Sequence, residues 1–395
     1  YSGGILTSRK DLDGFVMVAG VYNNKIITAD FGQHGFAYTP PTGFKAISSK
    51  NFVSSTPAFR NPKRHFETIL YTGDGQNNRK VTGLEFKPDL VWIKSRASGD
   101  HGWYDSIRGV TKRLKSNSDN AEGDVPIGSF DNNGFSFATE MYYNSNSTNY
   151  VAWCWKAGGA TTVANTDGNV ASAVSVNKEA GFSIVTYTGP NGNGTIGHGL
   201  GKAPKWIVIR RRDNSSTWTV YHESIGNTKR LGLDLASGSS TSSAWWNNTS
   251  PTSTTFSVGT DGGHGGSTDN YVAWCWTDVP GFSKFGSYVG NGNSNGQYVY
   301  LGFRPAWILL KREASENWVM ADFKRNSNDR SSPADSYILA NGNGAESTGI
   351  IYDLVQNGVK FQSSSQNESG SVYYYAAFAD SPGITPFGGA TANAQ

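Results

Sequence analysis

The run Asn149-Tyr150-Val151-Ala152-Trp153-Cys154-Trp155 recurs letter for letter at Asn270-Tyr271-Val272-Ala273-Trp274-Cys275-Trp276. A third, altered copy reads Tyr374-Tyr375-Ala376-Ala377-Phe378-Ala379, which sets Phe378 at the place of the cysteines. Upstream of each copy stands a second shared block, built on Pro88, Pro204 and Pro305, which lie 116 and 101 residues apart. Smaller echoes agree: Tyr71-Thr72-Gly73 with Tyr187-Thr188-Gly189 and Tyr288-Val289-Gly290, and Thr111-Lys112-Arg113-Leu114 with Thr228-Lys229-Arg230-Leu231. A period of this length is a whole domain, far longer than a solenoid rung. The chain therefore holds at least three homologous domains in tandem.

Each block reads as strand. After Pro88 the side chains of Leu90, Trp92 and Lys94 share one face and Val91 and Ile93 the other, and the later copies repeat this. A strand apolar on both faces lies between layers, and the basic residue six places after each proline is expected where the strand leaves the core. Asn/Asp-Gly turns such as Asn133-Gly134 and Asp261-Gly262 punctuate the runs, and no long helical period competes. The fold class expected is all-β: tandem concanavalin/SPRY-like antiparallel β-sandwich (jelly-roll) domains. Boundaries are set at 1–52 for the end of a different β domain, 53–66 for a linker, and 67–160 for repeat one. Residues 161–181 form a second linker, followed by repeat two at 182–279, repeat three at 280–380 and a tail at 381–395. Trp103, Trp218 and Trp318 follow their prolines at nearly constant distance and mark a second shared strand. Three such sandwiches in line make a rod of separate cores.

Composition closes several routes. Charged residues are only 16% of the chain and the net charge is +3, while 37% is hydrophobic, so the chain is folded and lacks the clustered basic face of a duplex-binding protein. No apolar run is long enough for a membrane helix, so no membrane insertion and no nucleic-acid partner are expected. No charged-then-apolar leader follows Tyr1, and a chain opening on Tyr is expected to be a processed or partial one.

Candidate sites are few. Cys154 and Cys275 occupy the same place in two domains, so they are expected apart, reduced and buried. Gly192-Asn193-Gly194-Thr195-Ile196-Gly197 has the spacing of a dinucleotide fingerprint, but His198-Gly199-Leu200-Gly201 cannot open the helix that fingerprint needs, so a hairpin loop is expected. The six histidines show no metal-ligand spacing, and no metal or cofactor is expected. Asp105 and Asp322 recur after the second-strand tryptophan, with His222 and Glu223 near that place in repeat two, and name no catalytic pair. Asp131, Asp167 and Asp261 are candidates either for calcium or for turns held by their own side-chain hydrogen bonds, and turns are the expectation preferred. The remaining handle is aromatic: Trp245 and Trp246, and Tyr142 and Tyr143, sit in polar, loop-like surroundings and are the candidate ligand-binding residues.

The run Tyr150 to Gly159, together with Thr82-Gly83-Leu84-Glu85-Phe86-Lys87-Pro88 through Lys94, resembles a repeat module of tailed-phage tail-fibre or appendage virion proteins. Phe31-Gly32-Gln33 through Ala46 resembles the end of a SPRY-type domain. The resemblance implies a non-enzymatic structural protein on the virion surface, among other virion proteins and with host-surface glycans as a further candidate partner. The tandem repeats and the symmetry habit of homo-oligomers add the expectation of an elongated homotrimer. A glycan depolymerase on the same scaffold is the alternative, and a bacterial secreted lectin-like or filament protein a third. It carries over no catalytic residue.

Overall fold

The computed structural model describes residues 61–138, 142–325, 336–349, 352–355 and 357–382. All belong to the unit Ser55–Gln395. The expected SPRY-like part at 1–52, the linker residues before 61 and the tail beyond 382 lie outside the described residues.

The architecture is all-β and built of sandwiches. Each repeat has an inner sheet assembled from the same four antiparallel strands, in the order opening, closing, proline, second. In repeat one these are Phe66–Thr72, Asn149–Trp155, Leu90–Ser95 and Gly102–Asp105. Repeat two uses Phe182–Thr188, Asn270–Trp276, Trp206–Arg211 and Thr219–His222. Repeat three uses Ser283–Val289, Val372–Pro382, Phe303–Arg312 and Val319–Asp322. The verbatim heptapeptide is thus the closing strand, central in its sheet, which explains why all but its first residue is buried. A small outer sheet covers one face of each inner sheet, such as Lys80–Thr82, Gly134–Ser136 and Ser129–Asp131 in repeat one.

The Tyr-x-Gly echo has a local cause. Tyr71, Tyr187 and Tyr288 each donate a hydroxyl to a loop carbonyl, of Tyr143, His264 and Gln366 respectively, at 2.6–2.8 Å. At Gly73 a Cβ would stand 2.2 Å from the carbonyl oxygen of Ser145, and the equivalents are as tight, so only glycine lets the loop close over the sheet end.

Several expectations need correction. The segment 161–181 is no linker: Val163–Asn165 and Ser172–Asn177 extend the inner sheet of repeat two at its edge. Residues 61–66 already form a 3₁₀ turn and begin the opening strand, and the closing strand of repeat three runs on to Pro382. The segment Gly194–Gly197 is no hairpin loop but a strand paired with Thr255–Val258 in an outer sheet.

The third closing strand is also one residue out of the expected register. Phe66 faces Trp155 and Phe182 faces Trp276, while Ser283 faces Phe378. Phe378 therefore stands at the place of Trp155 and Trp276, Ala376 at that of Trp153 and Trp274, and Ala377 at that of the cysteines. A one-residue slip exchanges the two faces of a strand, so the face expected to carry Ala377 and Ala379 carries Ala376 and Phe378. Three successive tyrosines, 373 to 375, concealed the register. The one that matches Tyr150 is Tyr373, stacked on Tyr288 at 5.1 Å as Tyr150 is on Tyr71 at 5.2 Å.

Trp103 also stands at a different place from the one expected. Trp92 faces Trp103, whereas Val208 faces Val220 and Leu309 faces Met320. Trp103 thus matches Val220 and Met320, and the partner of Trp218 and Trp318 in repeat one is His101.

The rod of separate cores is overturned by where the tryptophans go. Each repeat has its own core between inner and outer sheet, holding Val91, Ile93 and Cys154 in repeat one, Ile207, Ile209 and Cys275 in repeat two, and Ile308, Leu310 and Ala377 in repeat three. The other face of all three inner sheets meets in one common core. It contains every tryptophan except Trp245 and Trp246, and Phe378 with them. Trp155 lies 6.2 Å from Trp276 and 5.7 Å from Trp307, joining the three repeats in one ring cluster. Indole faces and edges meet obliquely there, as their quadrupoles favour. The repeats are therefore arranged about a pseudo-threefold axis through that cluster.

Candidate functional site

The polar groups that looked chemically useful sit mostly in the three seams between repeats. Each seam is a copy of one design. The ring N–H of the second strand reaches a carbonyl of the neighbouring repeat: Trp218 donates to Lys115 at 2.9 Å and Ser118 at 3.1 Å, and Trp318 to Gly232 at 2.7 Å. His101 does the same in the remaining seam, with Nε2 at 3.0 Å from the Leu339 oxygen and 3.1 Å from that of Gly342. Two carbonyls only accept, so Nε2 carries the proton, and Nδ1 is left to accept from the Trp92 indole at 2.8 Å. Burial, with Lys94 nearby, pushes the His101 pKa down to about 3, so the ring is neutral.

The basic residue six places after each proline also belongs to a seam, where the sequence reading had it leaving the core. Lys94, Arg210 and Lys311 are fully buried. Lys94 donates to the carbonyls of Ser95, Ala97 and, across the seam, Gly344 at 2.7–2.9 Å. Arg210 reaches Asp119 and Asn120 of repeat one, and Lys311 reaches Ala236 of repeat two. Further out, the backbone N–H of Glu122, Glu346 and Ser239 bonds the carbonyl of Arg212, Arg96 and Glu313. Two of these seams add a two-pronged ion pair, Arg96 to Glu346 at 3.1 and 2.7 Å and Arg212 to Glu122 at 3.1 and 2.9 Å.

Asp105 and Asp322 are seam residues too. Each is fully buried and pairs at 2.6 Å with the arginine three places on, Arg108 or Arg325. Those arginines lie over a neighbour's indole, Arg108 over Trp274 at 5.4 Å and Arg325 over Trp153 at 5.6 Å. In the third seam His222 replaces the aspartate and Ala376 the indole, with His222 Nε2 bonded to the Tyr375 carbonyl at 3.0 Å. Loss of the large ring and loss of the ion pair go together.

The aromatic candidates divide. Trp246 is buried in the core of repeat two, its N–H given to Lys229 at 2.9 Å. Trp245 is half-buried under Arg230, whose guanidinium carbon stands 3.7 Å from the ring centre. Tyr143 is buried, packed against Gly102, where a Cβ would meet the phenol oxygen at 2.7 Å. Tyr142 alone is open: it is 53% exposed, held at φ 63°, with Arg113 4.8 Å from its ring centre. The Lys-Arg-Leu echo now has a reason, since Arg113 and Arg230 are equivalent and both stack on an aromatic ring. Tyr142, Tyr143 and Arg113 border a cleft of about 270 Å³ at the end of the first inner sheet.

The remaining candidates are structural where they are described. Cys154 and Cys275 are free and buried in equivalent strands, and desolvation pushes both thiols up. Asp131 and Asp261 accept from Ser129 and the Gly263 N–H inside their own turns, and Asp167 from Asn165. Among the described residues there is no group of His, Cys, Asp and Glu placed to hold a metal, and no helix long and apolar enough to cross a membrane. Sequence reasoning missed Arg113, although its recurrence beside Lys112 and Leu114 was the signal.

These features define an all-β protein of three homologous sandwiches closed on a common tryptophan core. The chain belongs to a family described as a domain of unknown function (DUF7483), whose model matches residues 61–382. That match spans all three repeats, the set that shares the core. No curated protein matches the chain.

Proposed function

We propose that residues 61–382 form a rigid, non-enzymatic structural module of a virion surface appendage, displayed outside the host and borne by other virion proteins. The observation that supports this reading is the consumption of ionisable side chains in the seams: Asp105, Asp322, His101, His222 and the buried cations hold repeats together. A body so tied resists shear between its parts, which suits a fibre or spike. The divergence of repeat three, where Ala376 replaces a tryptophan, matches a changed neighbour inside the chain. Homotrimeric assembly then rests on the symmetry habit of homo-oligomers. Peptide mass spectrometry of purified particles tests the location, and the chain's absence from them overturns it. Sedimentation tests the trimer, and a monomer at micromolar concentration overturns that part. New reducing ends from capsule or lipopolysaccharide at enzyme-like turnover would favour a depolymerase instead.

A further inference from the structure

The ends of the three inner sheets are equivalent in place, the first holding the cleft of Arg113 and Tyr142, and their charges differ. In repeat two Arg211 is paired with Asp269, and Arg230 donates to the Thr219 hydroxyl at 3.1 Å. In repeat three Arg312 is paired with Glu368, and Ser365 stands where repeat one has Tyr142. In repeat one the acid is already spent: Asp100 takes Lys115 at 3.0 Å and Asn117 at 2.8 Å. Arg113 is left with one long hydrogen bond, Nη1 to the Tyr143 hydroxyl at 3.5 Å, beside its ring contact with Tyr142, and makes no ion pair among the described residues. Beside it Tyr142 is pushed outward by a left-handed backbone that costs a non-glycine residue energy.

We infer that this cleft binds one carboxylate-bearing sugar unit of a glycan. The guanidinium edge of Arg113 supplies the fork a carboxylate fits, and no acid among the described residues is paired with it. The ring of Tyr142, backed on one side by Arg113, offers its other side to the apolar face of the neighbouring pyranose of the same glycan. Hydroxyls of Ser98, Ser145 and Thr148 also line the cleft and match a ligand rich in hydroxyls, while Asp100, which lines it too, is held by Lys115 and Asn117. The volume, near 270 Å³, falls just under the range of roughly 300–1,000 Å³ typical of drug-sized ligands, as suits a single ring held at a surface. The inference stands apart from where the protein is displayed.

The test titrates the full chain with trigalacturonate, with galactotriose as the neutral control and acetate as the bare carboxylate, by calorimetry at low salt. The acidic sugar is expected to bind about tenfold more tightly than the neutral one, the worth of one charge-assisted pair. Arg113→Gln should erase that preference, and Tyr142→Ala should weaken the acidic sugar at least about fivefold, the size of a lost ring contact. Thermal unfolding checks that both variants fold, and Tyr142, being exposed, gives a readout that does not rest on Arg113. Equal binding of acidic and neutral sugar overturns the inference. So does acetate binding as tightly as the sugar, or trigalacturonate affinity unchanged in Tyr142→Ala, which would mean charge attraction without a site.

Discussion

Trp153 of repeat one gives its indole N–H to Asp322 of repeat three at 3.0 Å, with both side chains wholly buried. Its equivalent Trp274 lies under an arginine in the same way but has no partner for its N–H. The pair separates the value of the bond from that of the ring. Trp153→Phe removes ring area and a hydrogen bond to a charged group; Trp274→Phe removes ring area alone. In denaturant unfolding Trp153→Phe should cost about 1.5–3 kcal/mol more than Trp274→Phe. Equal costs would mean that the cross-seam bond contributes nothing.

The common core predicts one unfolding event. Separate sandwiches would melt independently, but here each inner sheet buries a face only against the other two repeats. Residues 61–382 should show a single calorimetric transition with calorimetric and van't Hoff enthalpies in agreement. A fragment holding repeat two alone, 163–279, would expose Trp206, Trp218, Trp274 and Trp276 together and should not stay folded and monomeric. Three resolved transitions, or a well-dispersed NMR spectrum from the fragment, would contradict the shared core.

How far this arrangement was legible can be judged at individual residues. Repetition was plain because Asn149–Trp155 and Asn270–Trp276 are identical, and the sandwich followed from strands apolar on both faces. Those same strands do not say whose layer covers each face. Val91 faces its own outer sheet and Trp92 faces two other repeats, yet both are simply apolar letters in sequence. The seam role of His101 was hidden because the residue changes while the job, an N–H offered to a neighbour's carbonyl, is kept. Of the four aromatic candidates, Tyr142 alone stands open, since a polar neighbourhood in sequence does not report the fold-back that buries Tyr143 and Trp246.

Acid should loosen the seams through the histidines. Burial, the first cause in each case, pushes His101 and His222 down to about 3 and about 4 from an ordinary 6.5. Between those values and 6.5 the unfolded chain binds protons that the folded chain refuses. Stability from these groups is therefore complete above pH 6.5 and falls as pH drops toward 4. His65 and His198, both pushed down to about 4, add to the slope. His222→Asn keeps an N–H for the Tyr375 carbonyl and removes one titrating group. Between pH 5 and 6.5, above most carboxylate titration, its stability should fall less steeply than the wild type's, by up to about 1.4 kcal/mol per pH unit. Parallel curves would refute a neutral, buried His222.

The thiols should be silent in the native state. Cys154 and Cys275 are free, fully buried and raised in pKa by desolvation, so both lack thiolate and access. A chromogenic disulfide reagent at pH 8 should label neither thiol in folded protein and both after denaturation. Labelling of neither after denaturation without reductant would show that they are bonded, and rapid native labelling of either would show that its core is open.

Lys94 offers the sharpest test of the buried cations. Its ammonium is spread over three carbonyls, of Ser95, Ala97 and Gly344, the last across a seam. Lys94→Met keeps the stem and orphans those acceptors, and should cost at least about 2 kcal/mol at pH 7. The cost should also depend on pH. Desolvation pushes Lys94 down to about 8 from 10.5, so above pH 8 the folded chain releases a proton that the unfolded chain keeps. The wild type gains stability from this group as pH rises from 8 to 10.5, and Lys94→Met cannot. The gap between the two should widen across that window in urea unfolding at fixed ionic strength. A constant gap would mean that the ammonium is hydrated in the native protein, and that the seam is wet where the geometry makes it dry.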